Sequence, residues 1–153
     1  MPEGARLGID WGKARIGVAA SNRRTSFAYP VETVVAGPDE LRRLAALIAE
    51  HDADVVYIGL PLTLAGTHAL AAEYVSAKAA ALAAAVSPIP VLLVDERMST
   101  VSASRSLGSA GRRAKHQRSV IDQAAAVEIL QRAIDAEERQ GAPVGEPALK
   151  EES

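Results

Sequence analysis

The hydrophobic pattern near the N-terminus predicts two β-strands joined by a tight turn. Short apolar runs at 7–9 and 16–19 flank the polar segment 11–15, a pattern that is typical of a hairpin. Gly12 lies in the turn, where a positive φ or a close approach of the backbone would favour glycine. Asp10 lies where the first run ends, and a charge at the end of a buried strand needs a compensating partner.

The rest of the pattern predicts a third antiparallel strand followed by two strand–helix crossovers. The predicted elements are a strand over 28–36, a helix from Asp39 to about His51, a strand over 55–60, a helix over 68–86, a strand over 91–94, a helix from Ser99 or Thr100 to about Leu107, and a helix over 119–139. The two continuously apolar runs are typical of strands buried on both faces of a parallel sheet. The order predicts an α/β fold with a mixed sheet and right-handed crossovers.

Composition narrows the class of protein. The chain has 153 residues, of which 48% are hydrophobic, so we expect a single domain over 1–139. The segment 140–153 carries two prolines, two glycines and three glutamates and is predicted to be disordered. The absence of cysteine excludes disulfides and thiolate metal sites. No signal peptide or membrane span is predicted, and we expect a cytoplasmic protein.

Three carboxylates lie in unusual surroundings. Asp10 and Glu96 follow apolar strands, and sites in open α/β sheets form at the carboxyl ends of strands. Asp122 falls on the face of its predicted helix that also carries Ala126 and Ile129. Three converging acids would repel one another, and a hard divalent cation with oxygen ligands would relieve that repulsion.

Two interpretations of these acids remain open from spacing alone. In the first, two metal ions about 3.5–4 Å apart activate water and stabilise the leaving oxygen during phosphodiester cleavage. In the second, Asp10 and Glu96 cap strand ends, and Asp122 is a first-turn acid that interacts with the helix dipole.

The densest basic cluster precedes Asp122. It is predicted to lie in a glycine-containing loop over 108–118 and comprises Arg112, Arg113, Lys115, His116 and Arg118. A solvated loop is the usual explanation of such a cluster. Its position beside the candidate metal site also allows it to bind the phosphates of a nucleic acid.

Four motifs follow one another between residues 6 and 135. They are GIDWG with RIGVA at 8–19, VYIGLPL at 56–62, DERMST at 95–100 and VIDQAAA at 120–126. Together they resemble the YqgF/RuvX family of RNase H-like nucleases. The resemblance implies an RNase H-like sheet with strand order 3-2-1-4-5, and Mg²⁺ or Mn²⁺ held by Asp10, Glu96 and Asp122. It implies cleavage of nucleic acid, either processing of the 5′ end of pre-16S ribosomal RNA or resolution of Holliday junctions.

Two function classes other than a nuclease are also compatible with parts of this sequence. An Asp-x-Gly hairpin also resembles the phosphate-binding hairpin of sugar kinases and actin, but those proteins need a second such hairpin, which this sequence lacks. The third class is a catalytically silent nucleic-acid-binding factor on the same fold. The expected partner is structured RNA or branched DNA, with no membrane. A resolvase that cuts two strands symmetrically would be a dimer, and the sequence leaves monomer and homodimer open.

Overall fold

A six-stranded mixed sheet with helices on both faces forms the fold. The computed structural model describes residues 5–22, 26–61, 69–95 and 114–148, with the backbone alone over 114–122. The elements are β1 (Ala5–Trp11), β2 (Arg15–Ser21), β3 (Ala28–Val35), α1 (Glu40–Glu50), β4 (Ala53–Leu60), α2 (Ala69–Val86), β5 (Val91–Asp95), α3 (Ala114–Gln140) and β6 (Glu146–Pro147).

The strand order is β3-β2-β1-β4-β5-β6. β1, β2 and β3 pair antiparallel, whereas β4 pairs in parallel with both β1 and β5. The first five strands therefore confirm the predicted α/β class and the order 3-2-1-4-5. Pro30 lies in β3, an edge strand, where its missing N–H is tolerated.

Alternate residues of the central strand β1 contact different helices. Leu7, Ile9 and Trp11 pack with the buried side chains of α1 and α2. The residues between them face α3, since successive side chains of a strand point to opposite faces and Gly8 packs directly against α3. Asp10 follows on the same face as Gly8.

Gly8 allows α3 to lie unusually close to β1. A Cβ at this position would lie 2.6 Å from the Cβ of Leu130 and 3.0 Å from the carbonyl oxygen of Ala126. Because one of these neighbours is helix backbone, a side chain at residue 8 would displace α3 from the sheet.

Gly8→Ala is therefore expected to lower the free energy of unfolding by about 1–3 kcal/mol through overpacking. Gly37→Ala is the matched control, since a Cβ there meets nothing within 4 Å and the change is expected to be neutral or slightly stabilising. Urea denaturation of both variants measures the difference, and equal midpoints would contradict the close packing of α3 on β1.

A buried polar network joins α3 to the sheet at the end of β1 opposite Asp10. Nε of Arg6 lies 2.9 Å from Oε1 of Glu137, and the hydroxyl of Tyr57 donates a hydrogen bond to Oε2 of the same carboxylate. The N–H of Val144 donates to the Tyr57 oxygen at 3.3 Å. Arg6 is 6% exposed, and Glu137 and Tyr57 are fully buried. Burial and the hydrogen bond to Glu137 raise the pKa of Tyr57, so the phenol remains a donor.

Several local predictions need correction. Asp39 is at the N-cap of α1 as predicted, but its side chain makes no capping hydrogen bond. The carboxylate of Glu40 accepts from the N–H of Gly37 instead, at 3.1 Å. The last helix begins at Ala114 rather than residue 119, because alanine, lysine, glutamine and arginine are good helix formers. The helix predicted from Ser99 or Thr100 lies outside the described residues.

The prediction of a disordered segment over 140–153 is wrong for its first part. Residue 140 ends α3, and Glu146–Pro147 pairs antiparallel with β5 as β6. The N–H of Ala148 donates to the carbonyl of Val91 at 2.9 Å. Gly145 has a φ of +88°, and a Cβ there would lie 2.5 Å from the Leu93 carbonyl oxygen. Backbone bonds hold this segment to β5, Val144 and Ala148 pack against the core, and residues 149–153 lie outside the described residues.

Candidate active site

Asp10 lies between two glycines at the carboxyl end of the central strand. Its Cα is opposite Gly17 of β2, and the preceding pair, Ile9 with Ile58 of β4, places Asp10 level with Gly59. Asp10 is half-buried. Neither of these two neighbours in the sheet carries a side chain.

The row that contains Asp10 also sets the position of α3. Gly17 is opposite Thr33 of β3, so Asp10, Gly17 and Thr33 form one line across the sheet. Nε2 of Gln123 donates to Oγ1 of Thr33 at 2.9 Å. This bond brings the turn of α3 that contains position 122 over the row of Asp10, one turn before the contact between Ala126 and Gly8.

The three predicted metal ligands are described to different extents. Asp10 is described fully, Asp122 by its backbone, and Glu96 lies outside the described residues. Val94 is level with Gly59, so β5 reaches the same row two strands from β1, about 10 Å away. Within the described ranges no three potential ligands form a cluster. The structure thus places the turn of α3 that contains position 122 over the row of Asp10. Metal binding by Glu96 stays a prediction.

The donor chemistry of Asp10 fits a divalent cation. An aspartate supplies the oxygen ligand that Mg²⁺ and Mn²⁺ prefer. The two positions beside it in the sheet, 17 and 59, are glycine and bring no competing side chain.

The predicted phosphate-binding residues lie on two kinds of segment. Lys115 and Arg118 lie on the first turns of α3, so their predicted placement in a loop is wrong. The side chains of Lys115 and Arg118 lie outside the described part of the chain. Arg112 and Arg113 lie outside it entirely. Binding of phosphate by these four residues therefore remains a prediction.

The turn after Asp10 is tight. The N–H of Gly12 donates to the carbonyl of Arg15 at 3.0 Å, and a Cβ at residue 12 would lie 2.5 Å from that oxygen. The described glycines with positive φ are Gly141 and Gly145, so the close approach, and not a left-handed backbone, accounts for glycine at position 12.

A cleft of about 330 Å³ opens beside this turn. Its described lining is formed by Asp10, Trp11, Gly12, Lys13, Pro61, Ala71, Tyr74 and Val75. The ammonium groups of Lys13 and Lys78 lie 5.8 Å and 5.6 Å from the centroid of the Tyr74 ring. Sequence reasoning missed this group, because Lys13 is far in sequence from the other two residues, and Tyr74 and Lys78 lie in an alanine-rich helix that resembles simple core.

The positive charge of Lys78 is compensated by a buried carboxylate. Nζ of Lys78 lies 2.6 Å from Oε2 of Glu40, and Glu40 is 4% exposed. The hydrogen bond to this carboxylate raises the pKa of Lys78, so the ammonium group stays charged at neutral pH.

Along the described ranges, no helix combines the length and the apolar character that crossing a membrane requires.

Comparison with solved structures agrees with the fold. The chain is similar to RuvC of Thermus thermophilus in complex with a Holliday junction substrate, with a TM-score of 0.58 at 17% identity over 94% of this chain and 99% of that one. A second T. thermophilus RuvC structure matches with a TM-score of 0.57 at 16% identity. At such identities the likeness shows the RNase H-like fold alone.

Comparison of sequences shows the family. Relatives bearing the name "Putative pre-16S rRNA nuclease" include proteins of Mycobacterium tuberculosis, 57% identical over 86% of this chain and 79% of theirs, and of Cutibacterium acnes, 53% identical over 86% and 82%. One of the same name from Thermobifida fusca is 47% identical over 95% and 96%. The family model described as "RuvX: Holliday junction resolvase" matches residues 4–136. The chain belongs to the RuvX family.

Proposed function

We propose that this chain is a metal-dependent endonuclease that hydrolyses phosphodiester bonds and processes the 5′ end of pre-16S ribosomal RNA. The observation that supports the chemistry is the placement of Asp10 between Gly17 and Gly59, with α3 brought over the same row by Gln123. An acid at the carboxyl end of a central strand, flanked by two glycines, suits a site where a cation and a phosphate must lie side by side. The names of the relatives support the choice of RNA.

The metal ligands in this proposal are Asp10, Glu96 and Asp122. Bound Mg²⁺ or Mn²⁺ would lower the pKa of a water molecule and stabilise charge on the phosphate oxygens. Asp10 holds its carboxylate at a fixed position because β1 is paired on both sides, and Gly17 and Gly59 bring no competing side chain beside it. Arg112, Arg113, Lys115 and Arg118 bind the flanking backbone, where positive charge offsets that of the phosphates.

Resolution of Holliday junctions is the second candidate, favoured by the description of the family model. A resolvase makes two symmetric cuts and therefore acts as a dimer. A processing nuclease needs one cut and can act as a monomer. Ribosomal RNA precursors are met in the bacterial cytoplasm, which is where we place the protein.

One assay tests both candidates. The purified chain is incubated with a 5′-extended 16S precursor and with a four-way DNA junction, each with Mg²⁺ or Mn²⁺, and its oligomeric state is measured in the same buffer. We expect cleavage of the precursor at a discrete site, and we expect EDTA to abolish it and added metal to restore it. Cleavage of the junction alone, by a dimer, would favour the second candidate, and cleavage that persists in EDTA would reject the metal mechanism.

A further inference from the structure

Two lysine side chains contact one aromatic ring at the cleft beside the β1–β2 turn. Two ammonium groups, those of Lys13 and Lys78, lie within about 6 Å of the centroid of one aromatic ring, the range of a cation–π contact. The carboxylate of Glu40 is paired with Lys78. Its other oxygen accepts from the N–H of Gly37, so this buried acid is held by Lys78 and by the backbone of residue 37.

Lys13 is the cation that remains available. Its residue is exposed at the turn, and among the described residues no carboxylate lies within ion-pair distance of its ammonium group. Its ammonium group lies over the ring of Tyr74. A ring contact at an exposed site orients an ammonium group without neutralising it. The cleft therefore presents an oriented ammonium group that forms no ion pair with any described residue.

The cleft connects this charge with the candidate active site. Asp10 and Lys13 line the same space of about 330 Å³, a volume within the range of sites that hold small ligands or parts of larger ones. Tyr74 and Pro61 form the opposite wall. An anion that contacts Lys13 in the cleft would thus lie at the same end of the sheet as Asp10, the residue to which the cleavage chemistry is assigned.

We infer that Lys13, held by the ring of Tyr74, binds a backbone phosphate of the substrate strand adjacent to the phosphate that is cleaved. This inference rests on the proposed nuclease function and adds a substrate contact on the side of the sheet away from α3. A lysine acts on a phosphate as a point charge and reads no base. Lys13 consequently contributes to affinity and to strand position, equally for all sequences.

Tyr74 has a positioning role in this contact. Its ring lies between α2 and the β1–β2 turn and fixes where the ammonium group of Lys13 is placed. Phenylalanine keeps the ring and leucine removes it, so the two substitutions separate the ring contact from the hydroxyl.

The test measures binding without cleavage. In the Asp10→Asn protein, fluorescence anisotropy follows binding of a labelled single-stranded RNA over a series of salt concentrations. Adding Lys13→Gln is expected to weaken binding by about 2- to 5-fold at low salt. It should also reduce the slope of log K against log salt by about 0.7, the value for one phosphate contact on a single strand. Tyr74→Leu should give part of the same loss, and Tyr74→Phe should preserve wild-type binding.

Arg42→Gln is the matched control, since it removes one positive charge from an exposed position of α1 where the guanidinium lies 3.7 Å from Asp39. A salt slope that changes equally in Lys13→Gln and Arg42→Gln would overturn the phosphate contact, even if the wild-type chain cleaves RNA. Lys13-dependent binding without any cleavage by the wild-type chain would reject the nuclease function and keep the phosphate site. Absence of all binding would reject both.

Discussion

Asp10→Asn is expected to reduce cleavage of the 16S precursor by at least about 100-fold while leaving the protein folded. Residues that only support a metal ligand cost about 10–100-fold when changed, and Asp10 is proposed as a ligand itself. Asparagine has nearly the same shape but lacks the negative charge that holds a divalent cation. The position between Gly17 and Gly59 imposes no packing demand that asparagine fails to meet. Initial rates under saturating Mg²⁺ measure the effect.

Asp54→Asn is the control for this experiment. Asp54 is an exposed aspartate at the start of β4, so the substitution removes the same charge at the other end of the sheet. Circular dichroism and thermal melting should report equal folding for both variants. Cleavage by the Asp10→Asn protein at the wild-type rate would reject the assignment, and unfolding of that variant would make Asp10 a structural residue.

Glu137→Ala is expected to have the largest effect on stability, lowering the free energy of unfolding by about 3–5 kcal/mol. Removing one partner of a buried ion pair leaves the other charge uncompensated, and Arg6 is 6% exposed. The Tyr57 hydroxyl would lose the carboxylate that accepts its hydrogen bond. Denaturant unfolding followed by circular dichroism measures the loss.

Glu138→Ala provides the neighbouring comparison. Glu138 is exposed and accepts a hydrogen bond from the Ser26 hydroxyl, and exposed polar contacts contribute about 0–1 kcal/mol. If both alanine variants unfold at the same denaturant concentration, the buried network does not stabilise α3 on the sheet.

The parts of the fold that the sequence predicts well are those in which a continuous apolar run reports burial on both faces. The hairpin of β1 and β2, and the continuously apolar runs of β4 and β5, were recognised because their faces are buried in a regular way. β6 could not be predicted, because Glu146–Pro147 is fixed by backbone hydrogen bonds to β5 and carries no apolar signal.

The site was predicted in its acids but not in its surroundings. The sequence marks Asp10 as a candidate because it places a charge at the end of an apolar run. The position of Gly17 and Gly59 beside it depends on the register between strands far apart in sequence, which no local pattern contains. Glu137 was missed for a related reason. It lies in the charged end of α3, and only the arrival of Arg6 and Tyr57 from two strands turns that position into a buried one.

The margins of the sheet restrict how this protein can associate. At one margin β6 is two residues long, and very short edge strands discourage pairing with another chain. At the other margin, β3 contains Pro30, which has no backbone N–H. It also carries the charge of Glu32, whose Oε1 lies 2.6 Å from Nη2 of Arg43. Neither edge strand favours pairing with a strand of a neighbouring molecule. A second copy of this chain would therefore associate through helix or loop surfaces and not by extending the sheet.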